Sequence, residues 1–181
     1  MPLAYVIPVP KTVAFKDATV LPLALATAAA ALFPNTHMGL ALPPVRAPAM
    51  ASPGAKKTIL IWGGSSSVGL TATQLAVASG VRVVTTASLQ NHNLVRSAGA
   101  AAVYDHRLPS VVQDLASTLG DGDAGDFLGV FDAISTEVTF GAVEKVLQTM
   151  EVRGVRVATV LPHEKESELM EPRFGTCIRL F

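Results

Sequence analysis

A chain of 181 residues, half of them hydrophobic, is long enough to bury a core without covalent staples. Its 14 basic and 14 acidic residues cancel, so nothing points to counterion-driven binding of nucleic acid or an anionic membrane, and the expected partners are small molecules or protein. The only cysteine, Cys177, has no internal disulfide partner and makes no metal-ligand spacing with four scattered histidines, so a metal-free, cytoplasmic protein is expected.

Along the chain, Tyr5-Val6-Ile7 reads as an extended lead-in stopped by Pro8-Val9-Pro10. Asp17 is placed to cap a helix over 18–33, which tolerates Pro22 only in its first turn. The apolar run Val20–Phe33 falls short of the ~20 residues that span a bilayer, and no basic segment precedes it as in a signal peptide. Prolines at 34, 43, 44, 48 and 53 then mark a long surface connection. Residues 1–56 are expected to pack as an appendage on a domain formed by 57–181.

From Lys57 the pattern is regular. Thr58–Trp62 is a continuous apolar run, as in a strand buried on both faces. A helix over 67–79 should follow, with Val68, Ala72, Leu75 and Ala76 on its buried face and Gly80 closing it. Strands are expected at 81–86, 101–104, 129–134 and 154–160, and helices at 90–98, 110–119 and 138–150. Thr176–Phe181 reads as an edge strand. Strands alternating with helices at this spacing specify an α/β, Rossmann-like fold: a doubly wound parallel sheet with helices on both faces.

Between the first strand and its helix lies Gly63-Gly64-Ser65-Ser66-Ser67-Val68-Gly69. A dinucleotide site needs a tight turn there, close backbone approach to the pyrophosphate, and free helix N–H groups. Gly64 and Gly69 hold the outer positions of a G-x-G-x-x-G frame while Ser66 replaces the middle glycine, its hydroxyl and those of Ser65 and Ser67 adding donors. The competing reading is an ordinary structural turn; the strand before it and the helix after it favour a phosphate loop. On the phosphate reading, Gly64→Val should weaken nucleotide binding without unfolding the domain. The second strand ends Thr85-Thr86-Ala87-Ser88 with no carboxylate to accept from a ribose 2′-hydroxyl, so NADP(H) is expected, with Ser88, Asn91, His92 and Arg96 as donors. Against this, Asn91 or Asn93 can cap the next helix and Arg96 can be a solvated charge.

The run Ile61–Gly69, with Ser88–Asn93, Ser97-Ala98-Gly99-Ala100 and Val130-Phe131-Asp132-Ala133-Ile134, resembles the zinc-independent medium-chain reductases. More narrowly, it resembles the fungal trans-acting enoyl reductases of the lovastatin type, and Val9–Phe15 with Leu21–Ala28 resembles the helix leading into their cofactor domain. The resemblance extends from about Val6 to Val160. It implies hydride transfer from NADPH to a conjugated enoyl or enone substrate in fungal secondary metabolism, beside a polyketide synthase. By position it implies that Gly63, Gly64, Ser65, Ser66, Ser67 and Val68 hold the pyrophosphate. Ser88 and its neighbours would hold the 2′-phosphate, and Ile134, Ser135, Leu161 and Pro162 would line the nicotinamide. A tyrosine of that family near the adenine corresponds here to His106, or is displaced to Tyr104. No catalytic acid is named by the sequence.

The family's GroES-like catalytic domain has no counterpart in these residues. That leaves a second reading, a nucleotide-binding or polyketide-binding pseudoenzyme without redox turnover. It also leads to an expected homodimer, through the C-terminal strand edges or the N-terminal helices, against a monomer whose own N-terminal segment covers the apolar surface.

Overall fold

The computed structural model describes residues 8–19, 21–44, 57–122, 125–161 and 169–173. The expected lead-in at Tyr5–Ile7, Pro162 and the edge strand Thr176–Phe181 lie outside them. Six strands, β1 (Lys57–Trp62), β2 (Arg82–Thr86), β3 (Ala102–Tyr104), β4 (Asp126–Asp132), β5 (Val155–Thr159) and β6 (Met170–Arg173), form one sheet in the order β3-β2-β1-β4-β5-β6. Every pairing is parallel. The order reverses direction between β1 and β4, which opens a crevice at the carboxyl ends of those strands, and this is the Rossmann arrangement.

Among the described residues six α-helices accompany the sheet: α1 (Phe15–Ala18), α2 (Leu21–Leu32), α3 (Ser67–Ala78), α4 (His92–Ser97), α5 (Val111–Gly120) and α6 (Glu137–Thr149). The apolar runs in the strands divide by alternation. Ile59, Ile61, Val83 and Phe131 face one core with Ala28, Ala31 and Leu32 of α2, Ala72, Ala76 and Val77 of α3, and Val95 of α4. Leu60, Trp62, Val84 and Val130 face the other core with Leu115 of α5 and Val143, Val146 and Leu147 of α6. Successive residues of one strand thus feed opposite layers, which is why the strand segments read as unbroken apolar sequence.

Several boundaries differ from the sequence reading for local physical reasons. The helix expected over 18–33 is α2, three residues shorter at its start, and Asp17 does not cap it: Asp17 lies within the preceding short α1, whose N-cap is Ala14 with no side-chain cap bond. Pro22 does fall in the first turn of α2, where its missing N–H has no helical partner to lose. On α3 the expected face holds, with Ala72 and Ala76 buried and Val68 and Leu75 packed half-buried against the same core, while Gly69, Thr73 and Val77 are buried beside them. Thr73 can be buried because its hydroxyl donates to the Gly69 carbonyl at 2.9 Å. One turn of 3₁₀ helix, Leu89–Asn91, precedes α4. β4 begins three residues early and stops at Asp132, so Ile134 sits past the strand. β6 was missed because Met170-Glu171-Pro172-Arg173 is only four residues long, has no β-branched residue and carries a proline.

Phe15–Leu32 is apolar enough over 18 residues to match a membrane span by length and composition, a test that core helices also pass. Here Ala28, Ala31 and Leu32 have no exposed surface and belong to the core under α3. Leu32→Ala should therefore cost about 2–5 kcal/mol of unfolding free energy by denaturant titration. A loss below about 0.5 kcal/mol would mean that α2 is not part of the cooperative unit.

Candidate nucleotide-binding site

The chain leaves β1 at Trp62 and enters α3 at Ser67 through a turn that has almost no lateral space. Gly63 takes φ +82°, and a Cβ there would strike the Ile134 side chain. Its N–H donates to Thr86 Oγ1 at 3.0 Å, and the Gly64 N–H donates to the Thr86 carbonyl at 2.8 Å. A Cβ on Gly64 would overlap Thr85 Oγ1, a buried hydroxyl already committed to the Ile61 carbonyl at 2.6 Å. The expectation that Gly64→Val spares the fold is therefore corrected: the first atom added meets the strand beneath, not a ligand.

Ser66, in the place of a middle glycine, is the N-cap of α3. Its hydroxyl accepts from the Gly69 N–H at 3.0 Å and donates to the Gly63 carbonyl at 2.8 Å, so it is spent on holding the turn. The hydroxyls of Ser65 and Ser67, and the N–H groups of Ser65, Ser67 and Val68, have no acceptor among the described residues. No acidic residue lies in the first turn. Unspent donors at the positive end of a helix are what an anion requires.

Of these residues Ser65 lines a cleft of about 340 Å³, walled also by Trp62, Gly63, Ser66, Thr86, Ala87, His106, Ile134 and Thr139. Of the residues singled out from sequence, Gly63, Ser65, Ser66, His106 and Ile134 are thus brought together. Gly64, Ser67 and Val68 complete the loop. Ser88 and Asn91 occupy the turn after β2, where neither side chain makes a cap bond, and His92 Nε2 lies 3.1 Å from the Ala87 carbonyl. Arg96 is exposed in the last turn of α4 and does not line the cleft. Tyr104 pairs its hydroxyl with Thr118 on α5, which leaves His106 as the residue of that pair facing the cleft. Leu161 is exposed, and its carbonyl accepts from Thr159 Oγ1 at 2.7 Å.

Ser135 departs from its expected lining role. It is buried at φ +56°, its hydroxyl donates to the Asp132 carbonyl at 2.9 Å, and it accepts from the Val160 N–H at 2.8 Å. It is a strut between the ends of β4 and β5. The residue that organises this wall is Asp132, which sequence reasoning passed over. Its carboxylate, 1% exposed, accepts from the Ile134 and Ser135 N–H groups at 3.0 Å each and from Thr139 Oγ1 at 2.6 Å. A carboxylate closing an apolar strand run, with threonines at 136 and 139 able to form a capping box, was the available signal.

Asp105 was also passed over. One oxygen accepts from the Leu89 N–H at 3.2 Å and the other from the Arg107 N–H at 3.0 Å, tying the turn after β2 to the turn after β3. The Arg107 N–H is the main cause that holds this carboxyl below its ordinary value of 3.8, with lesser help from the Leu89 N–H and the charges of Arg107 and His106 against partial burial.

No protein-family model matches the chain. The trans-enoyl reductase himH of Aspergillus japonicus is 51% identical over 115 residues, covering 64% of this chain and 32% of that protein. The dehydrogenase orsE of Emericella nidulans is 33% identical over 166 residues, covering 87% and 47%. The chain is a homologue of fungal trans-enoyl reductases and dehydrogenases. It spans about a third to a half of the length of the curated relatives it matches. Among solved structures, a mycobacterial protein complexed with NADPH superposes with a TM-score of 0.58 at 28% identity, over 83% of this chain and 40% of that one.

Two outcomes follow for this homologue. Gly64→Ala should lower stability by about 1–3 kcal/mol through overpacking, and Thr85→Ala in the same chain should recover part of it, as read by thermal unfolding. Because its folded carboxyl lies below the unfolded value, Asp105 contributes stability above about pH 3.8 that is lost as pH falls through its folded value. In an acid NMR titration the Leu89 amide should shift with Asp105 in the native protein and not in Asp105→Asn.

Proposed function

We propose that the cleft holds NADP(H) and that the protein is an NADPH-dependent reductase relative acting on a conjugated enoyl or enone substrate in fungal secondary metabolism. The observation that carries this reading is the set of unspent donors at the start of α3, with Ser65 lining the cleft beside the point where the strand order reverses. The NADPH in the mycobacterial neighbour and the reductase names of the fungal homologues support it.

On this reading the Ser65, Ser67 and Val68 N–H groups hold the pyrophosphate. The turn at Ser88–His92 and His106 read the 2′ position, and the Ile134 wall receives the nicotinamide. The cofactor would supply the hydride. This chain supplies position: the Asp132 network fixes Ile134 over Gly63, and apolar Trp62 and Ile134 exclude water beside it. An acyl substrate, a polyketide synthase partner and a homodimer belong to the proposal.

Fluorescence titration should give tighter binding of NADPH than of NADH, and Ser88→Asp should reverse the order by about tenfold or more through charge repulsion. Equal affinity of the native protein for the two cofactors would sink the assignment. Oxidation of NADPH by an enoyl thioester separates the reductase from a protein that binds nucleotide without turnover.

A further inference from the structure

At the amino ends of β4 and β5, the end of the strands opposite the nucleotide cleft, a second pocket of about 420 Å³ opens beside Met38 of the turn after α2. That volume is within the range of small-molecule sites, about 300–1,000 Å³. Among the described residues the two pockets share no lining residue. The wall on β4 comes from an irregularity. Thr58 pairs with Phe127 but Ile59 pairs with Gly129, so Leu128 is an extra residue on its strand, and bulges of this kind re-aim side chains. Gly129 follows at φ +135°, where a Cβ would overlap the Arg156 carbonyl and press on Met38. The pocket lies across the end of the sheet: Leu128 packs against the core under α2 and α3, and Phe127, Val152 and Val155 pack against the core under α5 and α6.

The polar part of this pocket is cationic. Arg153 and Arg156 line it, and no acidic residue does among the described residues. Arg153 is exposed at the rim and already engaged within the chain. Arg156 is half-buried, and its Nη1 donates to the Met38 carbonyl at a long 3.5 Å. Among the described side chains no acid pairs with it, so most of its five-donor fork is unspent. The Gly154 N–H, between the two arginines in the chain, also has no acceptor among the described residues. A partly desolvated guanidinium without a counter-charge is unfavourable, and the group that fits its planar fork best is a carboxylate.

We propose that this pocket is a second ligand site, for a carboxylate carried on an apolar chain. Arg156 and the Gly154 N–H receive the carboxylate, and Phe127, Leu128 and Val152 receive the chain. The inference goes beyond the nucleotide reading and does not depend on it. A small inorganic anion would answer the charge but leave the apolar wall in water, and an uncharged chain would cover the wall but leave Arg156 without a counter-charge. A ligand that carries both groups satisfies both sides of the pocket.

The experiment is an NMR titration of the native chain at neutral pH with octanoate and with octanol, which share a chain length and differ in charge. Octanoate should shift the Leu128, Val152 and Gly154 amides along a saturable curve and leave the Ser65 and Ser67 amides in place. Octanol should bind at least about tenfold more weakly, the difference expected from a charge-assisted hydrogen bond. Arg156→Gln should lower octanoate affinity by a similar factor while leaving octanol unchanged, and Arg156→Lys should restore part of it. The comparison of the two ligands on the native chain stands even if Arg156→Gln does not fold. Absence of a saturable octanoate shift up to about 10 mM, a range that covers weak small-ligand binding, overturns the proposal. Shifts confined to Ser65, Ser67 and Val68 overturn it too, since the carboxylate would then have gone to the loop before α3. So does equal affinity for octanoate and octanol, the result expected if an acid of the chain such as Glu171, opposite Arg156 in the β5–β6 register, already neutralises it. None of these results bears on nucleotide binding at the other end of the sheet.

Discussion

Between the end of β1 and the end of β2 there is no room for a side chain, and that closeness shapes the whole site. The Gly63 and Gly64 N–H groups are satisfied by Thr86, and the space a Cβ would need on Gly64 is taken by Thr85. The turn is anchored on its strand side, while its donors at Ser65, Ser67 and Val68 at the start of α3 have no acceptor among the described residues. The buried threonines at 85 and 86 are tolerated in a parallel sheet because both hydroxyls are hydrogen-bonded, Thr85 to the Ile61 carbonyl and Thr86 to the Gly63 N–H.

The opposite wall is built on a different principle. Asp132 is a nearly inaccessible carboxylate whose three hydrogen bonds come from groups close in sequence, and leaving those donors unpaired would cost about 1–3 kcal/mol each. The network also holds Ser135 in the left-handed region, a conformation that costs a non-glycine residue about 1–3 kcal/mol. Its reward is that Ile134 turns out into the cleft opposite Gly63, while the Ser135 hydroxyl joins β4 to β5. One wall is thus shaped by the absence of side chains and the other by a satisfied polar cluster.

Much of this was legible from residues alone where local chemistry and global fold agree. Thr58–Trp62 had to be a doubly buried strand, and the glycines at 80 and 99 do end helices, with φ +78° and φ +102°. Thr176–Phe181 drew attention as an edge strand, while the pairing that the structure describes beyond β5 is at Met170–Arg173, a short segment with a proline and no β-branched residue. The helix before the prolines was legible as apolar, and its start at Leu21 follows from Pro22, whose ring would clash with the Ala18 carbonyl if one helix ran through both.

The sequence by itself determined the α/β alternation, the position of the glycine-serine turn between β1 and α3 and the absence of an acid after β2, because each depends on residue types within one turn or strand. Tertiary structure decided which donors remain free, since that depends on partners such as Thr86, 23 positions from Gly63. It also decided that Ser135 is a strut, Arg96 a surface charge and His106 a wall residue. Asp105 shows the reason most plainly. No carboxylate follows β2 in sequence, yet one reaches the Leu89 N–H from 16 positions away because β3 is laid beside β2. Spacing along a chain carries no trace of that neighbour until the sheet has formed.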